Sequence, residues 1–204
     1  MQSPSKRGRP QEADPQEISR IALHLFERKG FDQVTMAQIA EAAGLSRRTL
    51  FRLFPSKSDL VWAGVTEIRD IVKLRAATPM KTRVPLGQLI DKLFVPILRP
   101  LDEPAAAKLA RRRLRLIARA PALLNHTTLL EIEAVLTTVV TACKLPARTP
   151  PSLVARTLVA TTFAALLWWA EHDKELSPLA AARAAWRTLA LGRRRETRAS
   201  APSR

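Results

Sequence analysis

Arg47, Arg48, Thr49 and Arg52 fall within six residues. Their side chains suit base edges: an arginine fork matches O6 and N7 of guanine, and a threonine hydroxyl meets a donor or an acceptor. Elsewhere the chemistry is thin. His24, His126 and His172 are too far apart in the sequence to form a metal-ligand spacing. Cys143 lies near the end of an apolar helical pattern and reads as core, and neither common Gly-rich phosphate loop occurs. No catalytic residue, metal ligand or cofactor is assigned, so a small helical enzyme stands well behind a binding protein. One more residue is singled out by its position. Spacing at about 100° per residue puts Lys108, Arg112, Arg115 and Arg119 of KLARRRLRLIAR on one outer side, with Arg111 at the border. Arg113 falls inside the apolar arc of Leu109, Ala110, Leu116 and Ile117. An inward arginine needs an anion. The candidates are a buried carboxylate such as Asp91, Glu131 or Glu133, and the acidic head of a ligand.

The elements that must position the first group are legible in the residues around it. Thr35 with Gln38 forms a capping box, and Met36, Ile39, Ala40 and Ala43 then share one helix face. Gly44 can end that helix in the left-handed conformation, Leu45 fills the corner, and Ser46 can cap a second helix. In that second helix Leu50 and Leu53 turn inward, which leaves the three arginines and Thr49 outside. The pattern is a helix-turn-helix whose second helix suits a major groove. Asp14, Pro15 and Glu17 predict the start of an earlier helix as a capping box, with Ile18, Ile21, Ala22 and Leu25 as its buried stripe. Ser56 and Asp59 predict the start of the next.

The chain has 204 residues, six Gly, no Tyr and one Cys. A lone cysteine excludes an internal disulfide framework and fits the cytosol, and the polar, basic opening is no signal peptide. The formal charge of +16 points to a polyanion. Its distribution does not locate the contact, because residues 1–60 carry +3, residues 61–130 +8 and residues 131–204 +5. No stretch alternates with period two, so the fold class is all-α, of about nine helices. Beyond the fourth, helices are predicted at 85–95, 104–119, 121–143, 151–172 and 177–191, with prolines in the breaks. Residues 157–170 hold no charge but fall short of the roughly 20 residues a membrane span needs. That helix is expected to be buried on two sides, one of them by a second subunit. At the other end, Lys6-Arg7-Gly8-Arg9-Pro10 resembles an AT-hook core, in which Arg7 and Arg9 would enter a minor groove. The alternative there is a solvated tail.

Three blocks in order, IALHLFERKGF, TMAQIAEAAGLS and TLFRLFPSKSDL, resemble the DNA-binding domain of the tetracycline-repressor-like (TetR) regulators. The run RRTLFRLFPSKSDL with Trp62 is similar to the subset that includes mycofactocin-linked regulators. The resemblance covers the first third of the chain. It implies a basic arm over 1–13, a helix-turn-helix domain over 14–60, a helical regulatory and dimerisation domain over 61–192 and a basic tail over 193–204. It also implies a cytoplasmic homodimer, with no membrane partner, that binds double-stranded DNA and is most simply a repressor released by a small molecule. A non-regulatory DNA-coating protein is the alternative, and it would have little need of so large a second part. Thr35, Ser46, Phe51 and Lys57 would meet the phosphate backbone. The lysine after Pro-Ser is carried over from the family, and Phe51 replaces the family's phosphate-bonding tyrosine, so that without the hydroxyl this contact is lost or becomes apolar. Family members usually dimerise through their last two long helices, which here offer Trp168, Trp169 and Trp186. The apolar second part with Arg113 suggests an acidic amphiphile, such as a fatty acyl compound, as effector.

Overall fold

The computed structural model describes residues 14–77, 85–124, 126–145, 147–172 and 176–191. The arm with Arg7 and Arg9, and the tail from residue 193, lie outside them. Among the described residues there are ten α-helical segments, one 3-10 turn and no strand; one isolated bridge joins Pro85 to Lys144. The chain divides into two compact units, Met1–Ala63 and Gly64–Arg204.

The first unit is built from α1 (Pro15–Lys29), α2 (Met36–Ala42), α3 (Arg47–Leu53) and the opening of α4 (Lys57–Ala76). The caps explain the boundaries. Asp14 accepts the Gln16 N–H at 2.9 Å at the start of α1, but Glu17 does not close the expected box. Its carboxylate is taken by Arg20 at 2.6 Å, one turn further on. The buried stripe of α1 is Ile18, Ala22, Leu23 and Phe26, whereas Ile21 and Leu25 are only partly buried. Ser56 and Asp59 do cap α4 reciprocally, with N–H to side-chain distances of 2.8 and 3.3 Å. One polar bond in this core has no local sequence signal: the buried Ser19 hydroxyl donates to the Leu60 carbonyl at 2.8 Å and ties α1 to α4.

The second unit takes α4 from Gly64, then α5 (Leu86–Leu98), a 3-10 turn (Arg99–Asp102), α6 (Pro104–Arg119), the single turn α7 (Pro121–Leu124), α8 (Thr127–Thr141), α9 (Pro151–Glu171) and α10 (Pro178–Leu191). Two expectations needed correction. Pro96 does not end α5, which runs on to Leu98; a proline this near a helix end forfeits only one late backbone bond and keeps a helical φ. The helix expected over 121–143 is broken before His126, whose Nδ1 accepts the Thr128 N–H at 3.3 Å and so caps α8.

Helix α9 lies against α6, α8 and α10. It has 21 residues and a mean hydropathy of 1.5 over its most apolar window, enough by length and composition to cross a membrane. Within the second unit 44% of that window is buried, Ala155, Leu158, Thr162, Ala165 and Trp169 among it. Part of the basic strip on α6 also serves it. Arg111 donates through Nη1 to the carbonyls of Trp169 (2.6 Å) and His172 (3.2 Å), and its guanidinium sits 4.1 Å from the centre of the Trp169 ring. Arg115 donates through Nε to the Ala170 carbonyl at 2.6 Å. These carbonyls stand at the end of α9, where a helix leaves its last carbonyls to be satisfied from outside.

Candidate nucleic-acid interface and effector cavity

The geometry of α3 begins in the turn before it. Thr35 and Gln38 form the full capping box of α2, with distances of 2.9 and 3.3 Å. Gly44 adopts a φ of 66°, a left-handed value that costs glycine little. The Leu45 N–H then returns to the Ala40 carbonyl at 2.8 Å. Ser46 accepts the Thr49 N–H at 3.1 Å, and the Ser46 and Thr49 hydroxyls share a 2.8 Å hydrogen bond. Thr49 is therefore half-buried and engaged in the cap that starts its own helix. Leu50 is fully buried.

Arg47, Arg48, Phe51 and Arg52 are exposed. No ion pair or side-chain hydrogen bond to another described residue holds the three arginines. Lys57 is different. Its ammonium donates to the Phe31 carbonyl at 2.8 Å and the Asp32 carbonyl at 3.3 Å, and lies 4.7 Å from the centre of the Phe31 ring. Two of its three donors are thus spent on the loop that leads into α2.

The second unit contains a half-open cavity of about 130 Å³. Its wall is almost wholly apolar, from Ile68 and Val72 of α4, Phe94 of α5, Leu114 of α6 and Phe163 of α9. Arg113 and Thr162 are its polar side chains. Arg113 is 7% exposed. Burial lowers its pKa from the ordinary arginine value, and the charge of Glu67 on α4 acts the other way. The carboxylates expected as its partners are committed elsewhere: Asp91 to Arg183 (3.1 Å), Glu131 to Arg69 (2.9 Å) and Glu133 to Arg156 (3.0 Å). Glu67 was missed because it belongs to a different helix, and sequence spacing on α6 carries no information about α4.

Gly64 was missed too. A Cβ there would stand 1.7 Å from Arg113 Nη1 and 2.8 Å from its Cζ. The guanidinium therefore rests on the bare backbone of α4. The available signal was a glycine within a long helix, which costs about 1 kcal/mol relative to alanine and calls for a packing reason. Thr162 donates to the Leu158 carbonyl at 2.7 Å and accepts the Trp186 indole N–H at 3.0 Å. The Trp186 ring lies 5.2 Å from that of Phe94. Trp186 is thus held inside its own unit, and Trp169 is buried at 1% exposure. Of the three tryptophans expected at a subunit face, Trp168 has the surface: it is 37% exposed and stacked on His172 at 4.4 Å.

Comparison with known proteins agrees with the helix-turn-helix. Residues 18–63 match the family described as bacterial regulatory proteins, tetR family. MftR of Mycobacterium tuberculosis, whose name assigns it to mycofactocin biosynthesis, is 34% identical over 122 residues, which are 58% of this chain and 59% of that protein. The HTH-type transcriptional regulator RutR of Escherichia coli is 31% identical over 123 residues, covering 60% and 57%. The chain thus spans less than two thirds of the length of these relatives. Two solved structures share the fold at low identity. FadR of Thermus thermophilus, a TetR-family transcriptional repressor in complex with lauroyl-CoA, has a TM-score of 0.56 at 20% identity, covering 86% of this chain and 93% of that one. NalD of Pseudomonas aeruginosa, the secondary repressor of the MexAB-OprM multidrug efflux pump, has a TM-score of 0.57 at 19% identity, covering 87% and 94%. Residues 18–63 thus form a helix-turn-helix domain of the kind described as bacterial regulatory proteins, tetR family.

Proposed function

We propose that the chain is a DNA-binding transcriptional regulator, a homodimeric repressor that a small molecule releases from a pseudo-palindromic operator. The observation that carries this is the outward arc of α3, where Arg47, Arg48 and Arg52 stand exposed on a helix whose start is fixed by the Ser46 cap. One such helix per subunit gives two half-sites per dimer. Trp168 and Leu153, 37% and 56% exposed on α9, are the apolar groups we assign to the subunit face. A protein that merely coats DNA has no use for an apolar cavity with a buried arginine in its wall.

Base reading and backbone binding separate in a titration of selected and random duplexes. On a duplex selected from a random library, Arg48→Ala should cost on the order of 1–3 kcal/mol, and far less on random DNA. Lys57→Ala should weaken both alike and lower the salt slope by about one. It should also loosen the first unit, because two carbonyls lose their donor. Equal losses on both duplexes for Arg48→Ala would remove it from base readout.

For the effector we propose an amphipathic acid, with fatty acyl compounds as the leading class. An apolar wall takes the chain, and Arg113 supplies a charge-assisted bond to the head. The lauroyl-CoA held by the fold relative from Thermus thermophilus is of this class. The cavity, at about 130 Å³, is close in size to the ~150 Å³ cavity that takes a benzene ring. An acyl chain therefore extends past this volume, through the open side or by pushing the walls apart, and α4 is one of those walls. Fatty acids and acyl-CoA esters titrated into the protein–duplex complex should release wild type, while Arg113→Met should need at least tenfold more. Equal response of the two proteins would make Arg113 purely structural. No release of wild type by any acidic amphiphile would end the effector proposal and leave DNA binding intact.

A further inference from the structure

Phe51 is 49% exposed, and among the described residues of the first unit no other large apolar side chain is so open. A single exposed apolar group is ordinary on a protein surface. This one has an unusual address. At 100° per residue, Arg47, Phe51, Arg48 and Arg52 occupy about 140° of arc on α3, opposite Leu50 and Leu53. Phe51 therefore sits within the cationic arc, between the side chains of Arg47 and Arg48, rather than on its flank. It lacks a hydroxyl, so it has nothing to offer a phosphate oxygen.

We propose that Phe51 reads the 5-methyl group of a thymine in the major groove, beside the base contacted by Arg48. The inference rests on the reading of α3 as the recognition helix. The methyl group of thymine is the one apolar feature on the major-groove edges, and aromatic side chains pack against it. The flanking arginines bring a polyanion to this arc, and among its major-groove features only a methyl group rewards burial of a phenyl ring. Desolvating both gains free energy in proportion to the apolar area covered. A phenyl ring against the sugar-phosphate backbone would gain area as well, but it would be blind to sequence.

Replacing thymine by deoxyuridine removes that methyl group and leaves every hydrogen-bonding atom in place. The probe is a duplex enriched from a random library by the wild-type protein, resynthesised with uracil at one thymine pair of symmetry-related positions at a time. At one such pair, wild type should lose affinity about fourfold per half-site, the worth of one buried methyl-sized group. Phe51→Ala should bind the parent duplex more weakly and be indifferent to uracil at that pair, whereas Phe51→Leu should keep part of the discrimination. Both variants should melt with wild type, since the ring is half-exposed, and melting is measured alongside. The inference is overturned if uracil is silent at every position, or if Phe51→Ala keeps the same uracil penalty. It is also overturned if Phe51→Ala loses equal affinity for selected and random duplexes, which would mark a backbone contact. Failure to enrich any duplex would overturn the recognition-helix reading itself. An enriched duplex on which uracil is silent sinks only the role of Phe51.

Discussion

Gly64→Ala should destabilise the wild-type protein and stabilise an Arg113→Ala protein. In a helix interior, alanine is favoured over glycine by about 1 kcal/mol, so propensity alone predicts a gain in both backgrounds. The new Cβ, however, would stand 1.7 Å from Arg113 Nη1, far inside contact distance. A guanidinium at 7% exposure cannot swing into water without dragging its buried stem. Overpacking of that kind costs about 1–3 kcal/mol, and a guanidinium beside a cavity can give way in part. The net expectation is a loss of up to about 2 kcal/mol in wild type and a gain of about 1 kcal/mol without the arginine. All three nearest neighbours of the added carbon are atoms of Arg113, the third already at 3.4 Å, so nothing else stands in its way. Urea unfolding of the four proteins, followed by tryptophan fluorescence, gives the coupling directly. Stabilisation of equal size in both backgrounds would mean that Arg113 does not rest on α4.

This contact bears on the proposed effector response. An acidic head that draws the Arg113 guanidinium toward itself takes it off the bare segment of α4 at Gly64. Gly64→Ala enforces a similar displacement without a ligand. If both act through the same movement, Gly64→Ala should weaken duplex binding while Arg113→Ala/Gly64→Ala does not weaken it further than Arg113→Ala.

The sequence made the helix-turn-helix legible because its determinants are local. The capping pair Thr35–Gln38, the left-handed Gly44 and the cap at Ser46 each act within four residues, so spacing alone defines them. The same holds for Arg113, whose inward position follows from the period of one helix. Where the partner is distant, legibility fails. Nothing near Arg113 points to Glu67, nothing near Ser19 points to the Leu60 carbonyl, and nothing near Thr162 points to the Trp186 indole. Lys57 is a subtler case. Its position after Pro55-Ser56 suggested a phosphate ligand, yet most of its donor capacity holds the Phe31–Asp32 loop. Residue type at a motif position fixes what a side chain can do and leaves open which neighbour reaches it first.

The basic strip on α6 gives the same lesson its largest consequence. Lys108, Arg112, Arg115 and Arg119 share a side by spacing, with Arg111 at the border, and the plainest reading is a solvated face. Arg111 and Arg115 instead satisfy the carbonyls of Trp169, His172 and Ala170 at the end of α9, and Arg111 covers the Trp169 ring. Each is only partly buried, which moderates the worth of its bonds. Hydrogen bonds from a charged donor contribute about 1.5–3 kcal/mol each, so removing both side chains should cost about 2–4 kcal/mol after that discount. For a protein of this length the change corresponds to a fall in Tm of about 5–15 °C. The comparison that isolates the carbonyl bonds from mere loss of positive charge is Lys108→Ala/Arg119→Ala. Both of those side chains are exposed, and the pair removes the same charge from the same helix. That protein should melt within about 4 °C of wild type, because each substitution on an exposed face usually changes stability by no more than about 0.5 kcal/mol. High salt sharpens the test further, since it screens charges in water and leaves short bonds to half-buried carbonyls largely intact. If the two double variants melted together, the arginines would be a solvated face after all, and the end of α9 would be held by its packing alone.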